Sequence, residues 1–238
     1  MTGLAAGWGE FTAALAIFLI SHILPARPPV RRFLHAALGA RGYTILYSAI
    51  SLAIFAWLIG AAGRAPRVQL WDFEPWQLWV PNMAMPFACL LIAYGIGAPG
   101  SFSIAGKSGA TFVPERPGIA GITRHPLLWA VTLWAAAHIV PNGDLAHAVL
   151  FGLFAAFGLA GMAALDRRRR REWGAALWAK RSAHTSLVPF LAVLAGRFRG
   201  AGLGLDPIRA AAAVALYVTL LLSHPAVIGV SPLPYQIG

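Results

Sequence analysis

The stretch that decides the fold is residues 145–171, LAHAVLFGLFAAFGLAGMAALDRRRRR. Leu145–Leu165 is almost wholly apolar, and Arg167–Arg171 follows as an unbroken block of five cations. A helix needs roughly 18–20 apolar residues to cross about 30 Å of hydrocarbon. A block of arginines just past such a run reads as a stop-transfer anchor on anionic headgroups, or as a site for an anionic ligand. Runs of the same kind occur at Leu4–Leu24, Tyr43–Ala62, Trp76–Gly97, Leu127–Val140 and Pro207–His224. The expected fold is therefore all-α: a single polytopic membrane domain over residues 1–238, a bundle of about six transmembrane helices.

Composition agrees, since 58% of the residues are apolar and 11% charged. A net charge of +11 raises nucleic acid as a partner, but the charges lie between apolar runs rather than on one soluble face, which points to the lipid bilayer instead. The single cysteine, Cys89, lies inside an apolar run and excludes an intramolecular disulfide. No cleavable signal peptide is expected, because the first ten residues lack Lys and Arg and Glu10 stands where a basic region would be.

Basic residues fix the orientation. With the N-terminus outside, the first, third and fifth connections are cytoplasmic and hold 17 of the 19 Lys and Arg residues, from Arg27 and Lys107 to Arg199 and Arg209. Arg64 and Arg67 alone remain outside. The expected location is a membrane crossed several times, with the basic connections in the cytoplasm. Pro126 suits the first turn of the fourth span, where its missing N–H costs nothing. Pro81 and Pro86 predict a third helix that is kinked or begins late. Leu187–Arg199 (LVPFLAVLAGRFR) is too short to span and reads as a re-entrant or interfacial segment. Gly95–Ile122, rich in Gly, Pro and Ser, reads as a loop.

An ionisable group near a span is a functional candidate, because stranding it in lipid costs several kcal/mol. Of the seven histidines, His22 and His138 lie near span ends among apolar residues. A neutral imidazole is a usual axial ligand of haem iron; a plain hydrogen bond to a neighbouring helix is the alternative. Arg124 and His125 open the fourth span. His138 follows 13 residues after His125, about 20 Å along a helix. Trp129, Trp134 and His138 share broadly one face, which either lines a planar ring or packs. Asn142-Gly143-Asp144 reads as a tight turn ending the helix. No Walker motif, GxSxG or CxxC is present.

Four stretches together resemble the NnrU membrane protein family: SHILPARPPVR (21–31), RGYTILYSAISL (41–52), TRHPLLWAVTLWAAAHIVPNGD (123–144) and SLVPF (186–190). The resemblance implies a link to bacterial denitrification, near nitrite and nitric oxide reduction, with denitrification enzymes as partners. The family is also similar to the plant 15-cis-zeta-carotene isomerase, a membrane enzyme whose haem b is held by two histidines. That similarity implies His22 and His138 as the iron ligands; Arg124 and His125 at the helix start, and Trp129 and Trp134 on the stripe shared with His138, are the candidate cofactor-binding residues. The isomerase carries a cysteine three residues before its second histidine; Ala135 stands there in this chain. Axial ligands of one iron lie within about 4 Å of each other, given metal–nitrogen bonds near 2 Å. The spans as drawn pair His22 more simply with His125, or His138 with His224, so His125 is the rival ligand. Arg124-His125-Pro126 at a helix start also resembles the isoprenylcysteine and phospholipid methyltransferases, with Glu172, Trp178 and Val188-Pro189 as a loose echo of their tail. That implies an S-adenosylmethionine-dependent membrane methyltransferase. A non-catalytic membrane partner in the maturation of a denitrification enzyme is the third reading.

Overall fold

The computed structural model describes residues 2–25, 27–98, 102, 112–198, 204 and 206–234, apart from the side chains of 2–6 and 28. Lys107 and Arg199, two of the basic residues used for orientation, lie outside the described residues. The elements in chain order are α1 (Thr2–Ile23), α2 (Pro28–Arg64), a short 3-10 helix (Pro75–Leu78), α3 (Trp79–Gly95), α4 (Ile119–Ile122), α5 (Pro126–Ile139), α6 (Leu145–Ser182), α7 (Leu191–Leu194) and α8 (Pro207–Ile228). Among the described residues no strand forms; Gln69 and Asp144 make an isolated antiparallel bridge.

Every predicted apolar run is helical. Four helices, starting at Pro29, Pro75, Leu145 and Pro207, are long and apolar enough to cross a membrane, and Gly7–Ile23 and Pro126–Ile139 are shorter apolar helices. Only 6–28% of the most apolar window of each long helix is buried within the protein. The outward faces carry residues such as Leu222 (73% exposed), which water would penalise and lipid accommodates. This is an all-α membrane helix bundle.

Two helices outrun their spans. The structure runs α2 back through Arg31 and Arg32 and α6 on through Arg167–Arg171, giving 37 and 38 residues. Arginine is a good helix former, so a charge block ends the span without ending the helix. Each long helix contains a bend at a glycine with positive φ: Gly39 (φ 67°, ψ 168°) and Gly174 (φ 75°, ψ 163°). Other residues enter that region only under strain.

The chain divides into two compact units, residues 1–72 with 143–150, and residues 73–142 with 151–238. In the first, α1 packs along α2. Phe11, Ala14 and Phe18, at helical spacing, form the buried face of α1, and Leu58, Ala61 and Ala62 are buried on α2. Glu10 accepts hydrogen bonds from Arg64 (2.6 Å) and from the Trp57 indole (3.1 Å). Leu70 N–H donates to the Gly143 carbonyl at 2.7 Å, which ties the connection after α2 to the start of α6.

In the second unit α3 packs against α5 and α8. The α-helix of the third span does begin late, at Trp79 behind the 3-10 turn, and it continues through Pro86. Proline at 86 frees the carbonyl of Asn82; Tyr217 of α8 sends its hydroxyl to the same residue, 3.3 Å from Oδ1 and 3.5 Å from the carbonyl. Arg209, at the start of α8, donates to the carbonyls of Ala93, Tyr94 and Ile96 at 2.8–3.1 Å and so closes the C-terminus of α3. Helices α5 and α6 meet at Gly158: a Cβ there would collide with the Thr132 hydroxyl. Gly95 lies against Pro126, Arg124 pairs with Asp166 and Arg209 reaches Ala93, so the end of α3, the start of α5, the arginine end of α6 and the start of α8 lie at one end of this unit.

Candidate functional site

The buried polar centre of the second unit is built on the turn that launches α5. Thr123, in extended backbone, sends its hydroxyl to the Leu187 carbonyl (3.0 Å), and Arg124 N–H donates to the Ser186 carbonyl (2.7 Å). His125 then takes the N-cap position and Pro126 opens the helix, as its fixed φ predicts. Trp129, one turn on, donates its indole N–H to the same Leu187 carbonyl at 2.8 Å. The irregular passage 185–188 is thereby fastened to the start of α5.

Asp166 of α6 closes the centre. Its Oδ2 lies 2.5 Å from Arg124 Nη2, and its Oδ1 lies 2.8 Å from His125 Nε2. Arg124 also reaches the Thr185 hydroxyl at 3.2 Å and lies 5.4 Å from the centre of the Trp178 ring. The His125 side chain is fully buried, the Arg124 and Asp166 side chains 12% and 15% exposed. A carboxylate only accepts, so His125 holds its hydrogen on Nε2, and Nδ1 is left as a buried atom without a hydrogen-bond partner. The arrangement can do two things chemically. It fixes one histidine tautomer, as carboxylates do beside metal-bound or catalytic histidines, and it neutralises an arginine at the end of a membrane helix.

His138 lies thirteen residues further along α5 in a different environment. Its Nδ1–H donates to the Trp134 carbonyl at 2.7 Å, and a carbonyl accepts only, so the lone pair resides on Nε2. The Trp134 and Phe151 rings lie 5.6 and 5.4 Å from the imidazole. Trp134 also packs edge-on against Phe151 and Phe154. Beyond His138 the helix closes, with Asn142 Nδ2 donating to the His138 carbonyl at 2.7 Å.

His22 belongs to the first unit. Its Nδ1 lies 2.8 Å from the Phe18 carbonyl, one turn earlier, which fixes the same tautomer as in His138. The ring lies 4.1 Å from that of Phe18 and 5.9 Å from Tyr47, and Tyr47 in turn stacks on Tyr43 and Tyr43 on His35. His224, too, donates from Nδ1 to a carbonyl, that of Val230 at 2.8 Å. Hence the structure joins Arg124, His125 and Trp129 in one network and pairs Trp134 with His138, while His22 stands in its own aromatic row.

Sequence reasoning did not find Asp166, Thr185 or Thr123. Asp166 is the one acidic residue between the apolar run and the arginines, and its position there was the available signal; beside five cations it passes for local neutralisation. Among the described residues, no three His, Cys, Asp or Glu side chains gather to hold a bare metal ion. A cavity of about 320 Å³ lined by Trp79, Asn82, Met83, Tyr217, Leu221, Leu233 and Pro234 contains none of the candidate residues.

No curated protein and no solved structure matches the chain. The family model described as NnrU protein matches residues 10–232. With nearly its whole length covered, the chain belongs to the NnrU family.

Proposed function

We propose that this NnrU-family protein binds haem b in a bacterial inner membrane, with its basic ends in the cytoplasm and its N-terminus outside, and serves redox or nitrogen-oxide metabolism. The observation that carries the reading is His138. Its Nδ1–H bond to the Trp134 carbonyl is the outer-shell bond that metal-binding histidines make, and it leaves the lone pair on Nε2 of a ring that packs with Trp134 and Phe151. The donor chemistry therefore fits an axial ligand. His22, the other ligand that the resemblance to the plant isomerase implies, is held in the same tautomer. Bound haem, with a histidine on each axial position, would supply one-electron chemistry, or the redox change that polyene isomerisation needs. His125 is a weaker candidate, because its Nε2 is engaged by Asp166 and only the fully buried Nδ1 remains.

The gathering of Arg124, Arg167–Arg171 and Arg209 at one end of the second unit supports the proposed orientation. The decisive experiment is the absorption spectrum of protein purified in detergent from haem-supplemented cells. The reading expects a Soret band that His138→Ala and His22→Ala abolish and His125→Ala retains. A colourless wild type would refute it. The methyltransferase-like reading requires Arg124 and His125 to meet a charged cofactor, and Arg124 is already committed to Asp166. Calorimetric binding of S-adenosylmethionine, lost in His125→Ala, would restore that reading. Neither signal, with a reductase subunit co-purifying, would instead mark a maturation partner.

A further inference from the structure

We propose that the arginine end of α6 is a binding site for the headgroup of an anionic phospholipid, held by Arg169 and Arg181 beside Trp173. The guanidinium carbons of Arg169 and Arg181 lie 5.9 and 4.6 Å from the centre of one Trp173 ring. Twelve residues separate the two arginines in sequence; the bend at Gly174 brings the second back to the ring. Two cations beside one ring repel each other unless an anion joins them. The nearby carboxylate is Glu172, and it already serves two arginines, Arg168 at 2.7 Å and Arg169 at 2.8 Å. Arg181 has no carboxylate partner among the described residues. Arg169 Nε is buried with no hydrogen-bond partner. An unmet donor next to surplus positive charge is what a phosphate oxygen satisfies, and a guanidinium fork matches phosphate geometry.

The depth of the site selects a lipid over a free anion. The apolar run of α6 ends at Leu165, and Arg169 follows four residues later, about 6 Å along the helix, which is headgroup depth for a helix crossing the hydrocarbon. The chain that continues from Arg181 turns apolar residues outward: Val188, Phe190, Leu191 and Leu194 are 50%, 56%, 47% and 82% exposed. Such residues beside cations describe a segment lying at a membrane interface, with acyl chains against its apolar face and phosphates against its arginines. The proposal rests on α6 as a membrane span and is independent of any haem.

The test is native mass spectrometry of the full chain in detergent, supplied with equal amounts of phosphatidylglycerol and phosphatidylcholine. The wild type should retain phosphatidylglycerol about thirtyfold over phosphatidylcholine, given roughly 1 kcal/mol for each of the two arginines near anionic lipid. Arg169→Gln with Arg181→Gln should abolish the preference. Arg31→Gln with Arg32→Gln, which removes the same charge from α2, should keep it. Trp173→Leu, which keeps every charge, should reduce it several-fold. The proposal falls if the wild type shows no preference, if it survives in the Arg169/Arg181 or Trp173 variants, or if the α2 variant loses it equally. Release of the lipid by stoichiometric inorganic phosphate would also overturn it, by showing a free-anion site.

Discussion

Asp166→Ala is the perturbation with the largest consequence that can be worked from the geometry. It removes the acceptor of Arg124 Nη2 at 2.5 Å and of His125 Nε2 at 2.8 Å, together with a longer contact to Arg124 Nε at 3.3 Å. Breaking a buried ion pair from one side costs about 3–5 kcal/mol, because the partner charge is stranded. Asp166 and Arg124 retain 15% and 12% exposure, so water relieves part of that cost, and a loss of about 3 kcal/mol is expected. For a chain of this length that corresponds to a melting midpoint about 6–12 °C lower, read by intrinsic fluorescence in detergent. Asp166→Asn, which keeps an acceptor but no charge, should fall between. Asp166→Leu combined with Arg124→Met should lose less than Asp166→Ala alone, since no cation is stranded. A midpoint for Asp166→Ala within about 2 °C of wild type would refute the assignment of the triad as a stabilising centre.

Two further outcomes follow from packing and sidedness. Gly158→Ala should destabilise by about 1–3 kcal/mol, since its Cβ meets the Thr132 hydroxyl, and Thr132→Ala in the same chain should recover part of the loss in thermal melts. In a Cys89→Ser background, Arg170→Cys should react with a membrane-impermeant maleimide only after spheroplasts are opened, and Arg67→Cys while they are intact; the reverse pattern would invert the orientation.

The helices were legible because lipid imposes its demand on contiguous sequence: an apolar run of span length is visible without knowing its neighbours. What lay beyond local reading was tertiary. The sequence marks where hydrocarbon should end, at Leu165, but arginine's helical propensity carries α6 to Ser182, and only the φ of Gly174 interrupts it. Arg124 and His125 stood out as ionisable residues at a helix start. Their shared partner is 41–42 residues away, and no periodicity connects them to it. Trp134 and His138 were legible as a stripe; that the stripe packs on Phe151 and Phe154 and also orients an imidazole required the fold.

The two histidines of α5 illustrate how one helix separates holding from acting. At its start, His125 gives Nε2–H to a carboxylate that also holds an arginine, and the 185–188 passage bonds to the same turn. For His125 to meet a ligand, either the Nε2–H bond to Asp166 must break or the fully buried Nδ1 must be uncovered, so exchange there is coupled to loosening the end of the unit. At the other end, His138 spends its Nδ1–H on its own helix backbone, so its Nε2 can change partner without breaking that hydrogen bond. A centre that must exchange ligands or electrons while the bundle stays intact belongs on the second kind of histidine. Replacing His125 should therefore register first in stability, and replacing His138 first in whatever the protein binds.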